Sequence, residues 1–242
     1  MPLLLSDQKR EVDRERIEKV LLHVERYKIT LVHIVKRLFF PTYFDPDHKR
    51  GLARARSLLD SLVDLGMLTR IAGRSAFAKN SYVLPGHVVK EDADLARLWY
   101  CLGTRTRRHL CKFSEIKPVF EAEEGTTSPF HNFSLAIEDT YGGPVFQRLY
   151  LCMAEKRSAK EMIAQAIGSK AKGFRQFVDG GDYGVAVLVQ SEQKKKEIEK
   201  LITSSHGGKA PLRELGRVSV SLMPQLQTLS QALRHHEEEL WK

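Results

Sequence analysis

The sequence has few cysteines, no cysteine pair and no long apolar run. Its three cysteines, Cys101, Cys111 and Cys152, form no CxxC motif and have no histidine at zinc-finger spacing. This pattern argues against a disulfide framework and against a structural zinc site. The leucine run Leu3–Leu5 is far shorter than a signal-peptide core or a membrane span. We therefore expect a cytoplasmic protein with no membrane partner.

The motifs of several enzyme classes are also missing. The chain has no glycine-rich phosphate loop, no G-x-S-x-G nucleophile elbow and no HExxH metal motif. Nucleotide hydrolysis, serine hydrolysis and zincin chemistry are therefore unsupported. What the chain does have is positive charge, because 39 Lys and Arg residues against 30 Asp and Glu residues give a net charge of +9. This excess indicates a polyanionic partner if the charge is concentrated on one surface.

The first third of the sequence predicts three helices followed by a hairpin. Apolar residues recur at steps of three and four along three segments, which is typical of amphipathic helices. Thr30 is the expected N-cap of the second helix, and Gly66 is the expected end of the third. The predicted helices cover Asp7–Tyr27, Thr30 to Pro41 and Lys49–Leu65, and the predicted strands cover Met67–Ala72 and Ala76–Leu84. This element order predicts an N-terminal winged helix-turn-helix domain over residues 7–88.

The third predicted helix has two faces of opposite character when about 100° is allowed per residue. One arc is apolar and consists of Leu52, Ala55, Leu58, Leu59, Leu62, Val63 and Leu65. The opposite arc is polar and consists of Arg50, Arg54, Ser57 and Ser61. Because a helix fits the DNA major groove and arginine can bridge guanine O6 and N7, Arg50 and Arg54 are the best candidates to read bases. Arg56 lies at the edge of the apolar arc, where it would cover the core or meet a phosphate.

The basic character continues beyond this arc. Lys49 precedes it on the same helix, and Arg70, Arg74 and Lys79 surround the hairpin turn, where they could contact phosphates or an adjacent minor groove. A basic face that is merely solvated, or a winged helix that binds protein, would show the same composition. The basic hairpin directly after the basic helix favours double-stranded DNA as the partner.

The rest of the chain predicts a connecting region and a mixed-sheet domain, so the fold class is α+β. We predict a linker with connecting helices over residues 89–128, in which Arg105, Arg107 and Arg108 either clamp phosphates or are simply solvated. Residues 129–242 predict a small α/β domain. Its predicted strands cover Phe130–Tyr141, Val145–Ala154, Val185–Val189 and Val218–Leu222, and its predicted helices cover Ser158–Val178, Glu192–Thr203 and Pro224–Trp241.

Most of the chain resembles a known family. The segments TLVHIVKRLFF, ARARSLLDSLVDLGMLTR and SYVLPG are similar to the N-terminal domain of the replication-relaxation family and of plasmid mobilisation relaxases. The similarity continues through HNFSLAIEDTYGG, VFQRLYLCMAEKRSAKEMIAQAI and YGVAVLVQSEQKKKEIEKLI. The resemblance implies that the second domain has a restriction-endonuclease-like core.

Nucleases of that kind need two acidic groups to hold Mg²⁺ and a lysine to orient or activate water. Asp139, Glu155 and Lys156 are the candidates for this chemistry here, with Asp139 and Glu155 as the metal ligands. The spacing departs from the family pattern because Glu155 and Lys156 are adjacent. Glu138 and His131 lie nearby, where a solvated turn and a structural histidine are the ordinary interpretations. We therefore expect a nuclease-like domain with a degenerate metal site, which needs no cofactor.

These patterns lead to one functional expectation with two alternatives. We expect a sequence-specific double-stranded DNA-binding protein of a plasmid or mobile element that acts at a transfer or replication origin, in a complex with relaxosome or replication proteins. The first alternative is a Mg²⁺-dependent relaxase or nickase that cuts one strand at that site. The second is a transcriptional regulator. The sequence leaves a homodimer open.

Overall fold

The protein has a mixed α+β fold, as the sequence predicts. Its computed structural model describes residues 2–40, 48–72, 80–87, 91–104, 106, 108–112, 114–115, 134–140, 143–151, 183–204 and 217–223. Within these ranges it contains five helices and two β-sheets. The chain divides into two compact units, of which unit 1 comprises Met1–Leu98 with Leu226–Lys242 and unit 2 comprises Trp99–Gln225. None of the helices in the described part of the chain has the length and apolarity of a membrane-spanning segment.

Unit 1 contains helices on a small antiparallel sheet. Its described elements are α1 (Pro2–Tyr27), β1 (Thr30–Leu31), α2 (Val32–Phe39), α3 (His48–Asp64), β2 (Thr69–Ile71) and β3 (Ser81–Val83), and α4 (Glu91–Leu102) begins in it. The strand order is β1-β3-β2. Tyr82 lies opposite Thr30 on one side and opposite Arg70 on the other. The central strand β3 therefore joins the segment before α2 to the strand after α3.

The core of unit 1 forms where the apolar stripes of the helices meet. Leu59 and Leu62 of α3 are fully buried and belong to one cluster with Val20 and Val24 of α1 and Val35 of α2. Burial of each leucine side chain contributes roughly 2 kcal/mol. The apolar spacing along α3 thus fixes which face of this helix turns inward.

The end of α3 follows the sequence prediction. Gly66 has a φ of +70°, which a residue with a side chain adopts only with strain. The amide of Gly66 donates to the carbonyl of Val63 at 2.9 Å, and the amide of Met67 donates to the carbonyl of Leu62 at 2.9 Å. This is the Schellman arrangement, in which amides beyond the helix satisfy its last carbonyls.

Two details in unit 1 differ from the sequence prediction. Thr30 is not the N-cap of α2, because it lies in β1, and Leu31 occupies the cap position without a side-chain hydrogen bond. Pairing with β3 engages this stretch of backbone in place of a capping turn. Leu65 is 67% exposed and not part of the core. It follows the last residue of α3, so the helical periodicity no longer determines its direction.

Unit 2 contains a five-stranded mixed sheet. Its elements after α4 are β4 (Arg108–Leu110), β5 (Ser134–Thr140), β6 (Gly143–Leu151), β7 (Tyr183–Val189), α5 (Glu192–Thr203) and β8 (Arg217–Leu222). The strand order is β4-β5-β6-β7-β8. The first three strands are antiparallel, and β6, β7 and β8 are parallel. All residues of β7 are buried, as expected of a parallel strand covered on both faces.

The sequence predicted most of these elements. The β5–β6 hairpin is present, and α5 has the predicted bounds, with the Ser191 side chain accepting from the amide of Lys194 at 3.2 Å. Strand β4 was missed, because it lies in the region predicted as a linker and pairs with β5 across a large sequence separation. The helices predicted over Ser158–Val178 and Pro224–Trp241 lie outside the described residues.

Candidate nucleic-acid interface

Helix α3 presents a polar face to solvent. Arg50, Arg54, Ser57 and Ser61 are all exposed. The opposite face is buried, with Ala55, Leu59 and Leu62 inaccessible to solvent. The exposed and buried faces of the helix therefore follow the predicted arcs. Two arginines and two hydroxyls spaced along one exposed helical face can donate several hydrogen bonds to an anionic surface.

The packing of unit 1 holds this face in a fixed orientation. The apolar face of α3 packs against α1 and α2, and its C-terminus is closed by the Gly66 turn. Tyr82 of β3 belongs to the same buried cluster, so the sheet packs on the apolar face of the helix as well. The exposed residues of α3 are therefore carried by a packed element and not by a loop.

A polar cluster lies where α3 meets the two strands. The hydroxyl of Tyr82 donates to Oδ1 of Asp60 at 3.2 Å. A terminal guanidinium nitrogen of Arg70 lies 3.8 Å from the same carboxylate oxygen. Burial raises the pKa of Tyr82 to about 12, and the negative charge of Asp60 acts in the same direction. The phenol therefore stays protonated and remains a donor to Asp60 at neutral pH.

Asp60 and Tyr82 were not among the candidates drawn from the sequence. The signal that points to them is the position of Asp60 one turn after Arg56 on α3, which is a typical spacing for an intrahelical ion pair. The proximity of Arg70 and Tyr82 to Asp60 depends on how β2 and β3 pack on the helix. The contacts of Asp60 with Arg70 and Tyr82 therefore could not be inferred without the tertiary structure.

Several predicted DNA-contacting residues have no described side chain. Lys49 lies in α3, but its side chain is outside the described part of the structure. Four further candidates, Arg74, Lys79, Arg105 and Arg107, lie wholly outside the described residues. Their assignment as DNA-contacting residues stays a prediction.

Arg108, predicted as a phosphate ligand, is largely buried in unit 2. Its Nε donates to Oε2 of Glu138 on the neighbouring strand at 2.7 Å, and its side chain is 13% exposed. The guanidinium stacks over the ring of Tyr100 at 4.3 Å and donates to Oγ1 of Thr104 at 2.8 Å. These contacts give Arg108 a structural role, tying α4 and β4 to β5.

The carboxylate of Glu138 is engaged by two donors. Besides Arg108, the side-chain amide of Gln147 on β6 donates to Oε2 of Glu138 at 2.7 Å. The hydroxyl of Tyr100 donates in turn to Oε1 of Gln147. Burial raises the pKa of Tyr100 to about 12, which keeps this phenol protonated as a donor. Glu138 on β5 and Gln147 on β6 are thus joined by a hydrogen bond, and Arg108 neutralises the carboxylate of Glu138.

The predicted catalytic residues are mostly outside the described structure. Asp139 lies in β5 opposite Pro144, and its side chain is not among those described. Glu155, Lys156 and His131 lie outside the described residues altogether. Within the ranges that are described, no group of three or more His, Cys, Asp or Glu side chains could hold a metal ion. The catalytic and metal-binding assignments therefore stay predictions.

The polar face of α3 carries exposed guanidinium groups on a helix that is packed in place. The contacts of Asp60 with Tyr82 and Arg70 lie on the same helix, where it meets β2 and β3. Comparison with protein-family models, with curated proteins and with solved structures gives no match for this chain.

Proposed function

We propose that unit 1 is a winged helix-turn-helix that binds double-stranded DNA through α3. The observation that carries this proposal is the exposure of Arg50, Arg54, Ser57 and Ser61 on the helix face opposite the buried core. An α-helix fits the width of the major groove, and its exposed side chains then meet base edges and phosphates. The wing in this proposal is the β2–β3 hairpin.

The order and pairing of the elements support the same proposal. Three helices precede two antiparallel strands, and the short strand before α2 completes the sheet. With 17 residues, α3 is about 25 Å long, which is enough to place two or more turns in a groove. Its packing against α1 and α2 supplies the rigid support that base recognition requires.

Each exposed residue has a role in this proposal. Arg50 and Arg54 donate to guanine O6 and N7, which is the commonest specific contact in the major groove. Ser57 and Ser61 bind a phosphate or a base edge. Arg70 in the wing binds the DNA backbone and contributes affinity without sequence preference. Lys49, Arg74 and Lys79 are further candidates for phosphate contacts from the sequence alone.

The wider biological role follows from the sequence resemblance. We propose a sequence-specific DNA-binding protein of a plasmid or mobile element, which acts at a transfer or replication origin together with relaxosome or replication proteins. Unit 2 would then be a restriction-endonuclease-like domain with a degenerate metal site.

Selection from a random duplex library followed by binding measurements tests the proposal. We expect Arg54→Ala to weaken binding to the selected site by about 1–3 kcal/mol and to affect unrelated duplexes less. Arg14→Ala, which removes an exposed arginine from α1, is the matched control and should change neither affinity by more than about 0.5 kcal/mol. Equal losses on both duplexes would refute base recognition by Arg54.

A nicking assay separates the accessory role from the enzymatic alternative. The protein is incubated with a supercoiled plasmid that carries the selected site, with and without Mg²⁺, and both gel shift and open-circle product are scored. A shift without nicking is the expected result. Nicking that requires Mg²⁺ and is lost in Asp139→Ala and Glu155→Ala would establish the relaxase alternative.

A further inference from the structure

Asp60 lies on α3 and contacts one residue of each wing strand, Arg70 on β2 and Tyr82 on β3. One of its carboxylate oxygens, Oδ1, accepts from the hydroxyl of Tyr82 at 3.2 Å and lies 3.8 Å from a guanidinium nitrogen of Arg70. The side chains of Asp60 and Arg70 are 40% and 53% exposed. The Tyr82 end of the cluster is thus anchored in the core, whereas the Arg70 end is open to solvent.

A second arginine lies near Asp60 on the same helix. Arg56 precedes Asp60 by one helical turn on α3 and is exposed. The positive charges of both Arg70 and Arg56 act at the Tyr82 hydroxyl, where they oppose the larger effect of burial and lower its pKa. Two exposed arginines from different elements therefore lie near Asp60: Arg70 is 3.8 Å from its Oδ1, and Arg56 is one helical turn away on α3.

The pairing of Arg70 with Asp60 is weak enough to be exchanged. Exposed ion pairs contribute little to stability, because water and salt screen them and because long side chains lose freedom when they pair. A DNA phosphate oxygen offers arginine a stronger, charge-assisted contact that can involve two guanidinium nitrogens. The hydrogen bond from Tyr82 meanwhile keeps the carboxylate of Asp60 in place.

We propose that Arg56 and Arg70 form a binding site for a backbone phosphate of DNA, and that Asp60 is the internal counterion which the phosphate displaces. This inference rests on the proposed DNA-binding function and adds a device that limits affinity. Because phosphates carry no sequence information, Asp60 lowers affinity for every duplex by the same factor. The base contacts of Arg50 and Arg54 then decide where the protein remains bound.

The test uses the full chain and the variant Asp60→Asn. Asparagine keeps an oxygen that accepts from Tyr82 but removes the charge that competes with phosphate. The probe is a fluorescein-labelled mixed-sequence duplex of about 24 base pairs, which spans two helical turns. Binding is followed by anisotropy between 50 and 300 mM NaCl, roughly the range in which phosphate contacts dominate. We expect binding about fivefold tighter at low salt and a salt slope steeper by about one.

Asp64→Asn is the matched control. Asp64 is exposed, ends α3 and lies about 6 Å further along the helix axis, so its replacement changes the net charge identically. It should tighten binding by less than about twofold, because exposed charges further from the phosphate are screened. Equal effects of Asp60→Asn and Asp64→Asn, or no effect of Asp60→Asn, would overturn the inference.

A double variant tests whether Arg70 carries the effect. When Asp60→Asn is combined with Arg70→Gln, most of the gain in DNA affinity should disappear, because the guanidinium that binds the phosphate is absent. If the double variant keeps the full gain in affinity, Arg70 is not the residue that Asp60 withholds from the phosphate. Tyr82→Phe keeps the charges of Asp60 and Arg70 and removes only the hydroxyl. It should leave DNA binding within about twofold of wild type, so it separates an effect of charge on binding from an effect of a loosened core.

Inorganic phosphate distinguishes failure of this site from failure of the proposed function. Its binding is followed through the arginine Nε–Hε signals in nuclear magnetic resonance spectra of the wild type and of Asp60→Asn. If neither protein binds any duplex, the DNA-binding function fails. The phosphate site then stands if phosphate moves the Arg70 signal in Asp60→Asn more than in the wild type, and it fails if the Arg70 signal does not move.

Discussion

Acid should destabilise this protein through His23, a buried histidine of α1. Its Nε2 lies 2.9 Å from Oγ1 of Thr30, and its ring packs against Tyr27 and Phe39 with centroid distances of 5.0 and 6.0 Å. Burial lowers the pKa of His23 from 6.5 to about 4, and the positive charge of Arg26 adds to this effect. The folded protein therefore holds His23 neutral over a pH range in which the unfolded chain protonates it.

The sign and size of the effect follow from linkage. Below pH 6.5 the unfolded state binds a proton at this position, whereas the folded state does so only near pH 4, so stability falls as the pH falls between these values. A pKa difference of 2.5 corresponds to about 3.4 kcal/mol in total, at 1.36 kcal/mol per unit. At about pH 4.5 the expected loss from His23 is about 2.5 kcal/mol.

Chemical denaturation at pH 7 and at about pH 4.5, followed by circular dichroism, measures this loss. His23→Gln keeps polar atoms near Thr30 but does not titrate, so it should lose about 2.5 kcal/mol less than the wild type between the two pH values. His87→Gln replaces a partly exposed histidine of the same unit and should behave as the wild type does. An unchanged pH dependence in His23→Gln would refute the argument.

Two further predictions concern packing and an internal ion pair. Leu59→Ala should lower the free energy of unfolding by about 2–5 kcal/mol, because Leu59 is fully buried, whereas Leu65→Ala should stay within about 0.5 kcal/mol. Denaturant titration measures both, and similar values for the two variants would contradict the described core. Glu138→Gln should cost about 3 kcal/mol, because Arg108 is largely buried and would lose its anionic partner. The exposed Lys194–Glu197 pair supplies the control, and Glu197→Gln should cost less than about 1 kcal/mol in the same assay.

Local patterns in the sequence predicted much of the fold. The bounds of α5, the end of α3 at Gly66 and the two faces of α3 all depend on residues within a few positions of one another. Helical periodicity, capping and positive φ are local properties, so they can be inferred without knowledge of the remaining chain. The same periodicity placed Arg50 and Arg54 on the exposed face of α3.

Other features depended on contacts between distant segments. Thr30 lies in a strand because β3 provides a partner for it, although the sequence around Thr30 suggests a helix cap. Arg108 pairs internally because β4 lies beside β5, whereas its sequence neighbourhood suggests a solvated basic cluster. Sheet pairing joins residues far apart in the chain, and local patterning contains no information about such partners.

Among the described residues, the sequence by itself therefore determined the helices, most strands and the polar face of α3. Only the tertiary structure decided which charged side chains pair with residues far away in the sequence. Arg54 is exposed on the face of α3 opposite the buried core, whereas Arg108 is enclosed by α4 and β5. Asp60 meets Arg70 and Tyr82 because β2 and β3 pack beside α3, and this packing depends on the whole core of unit 1.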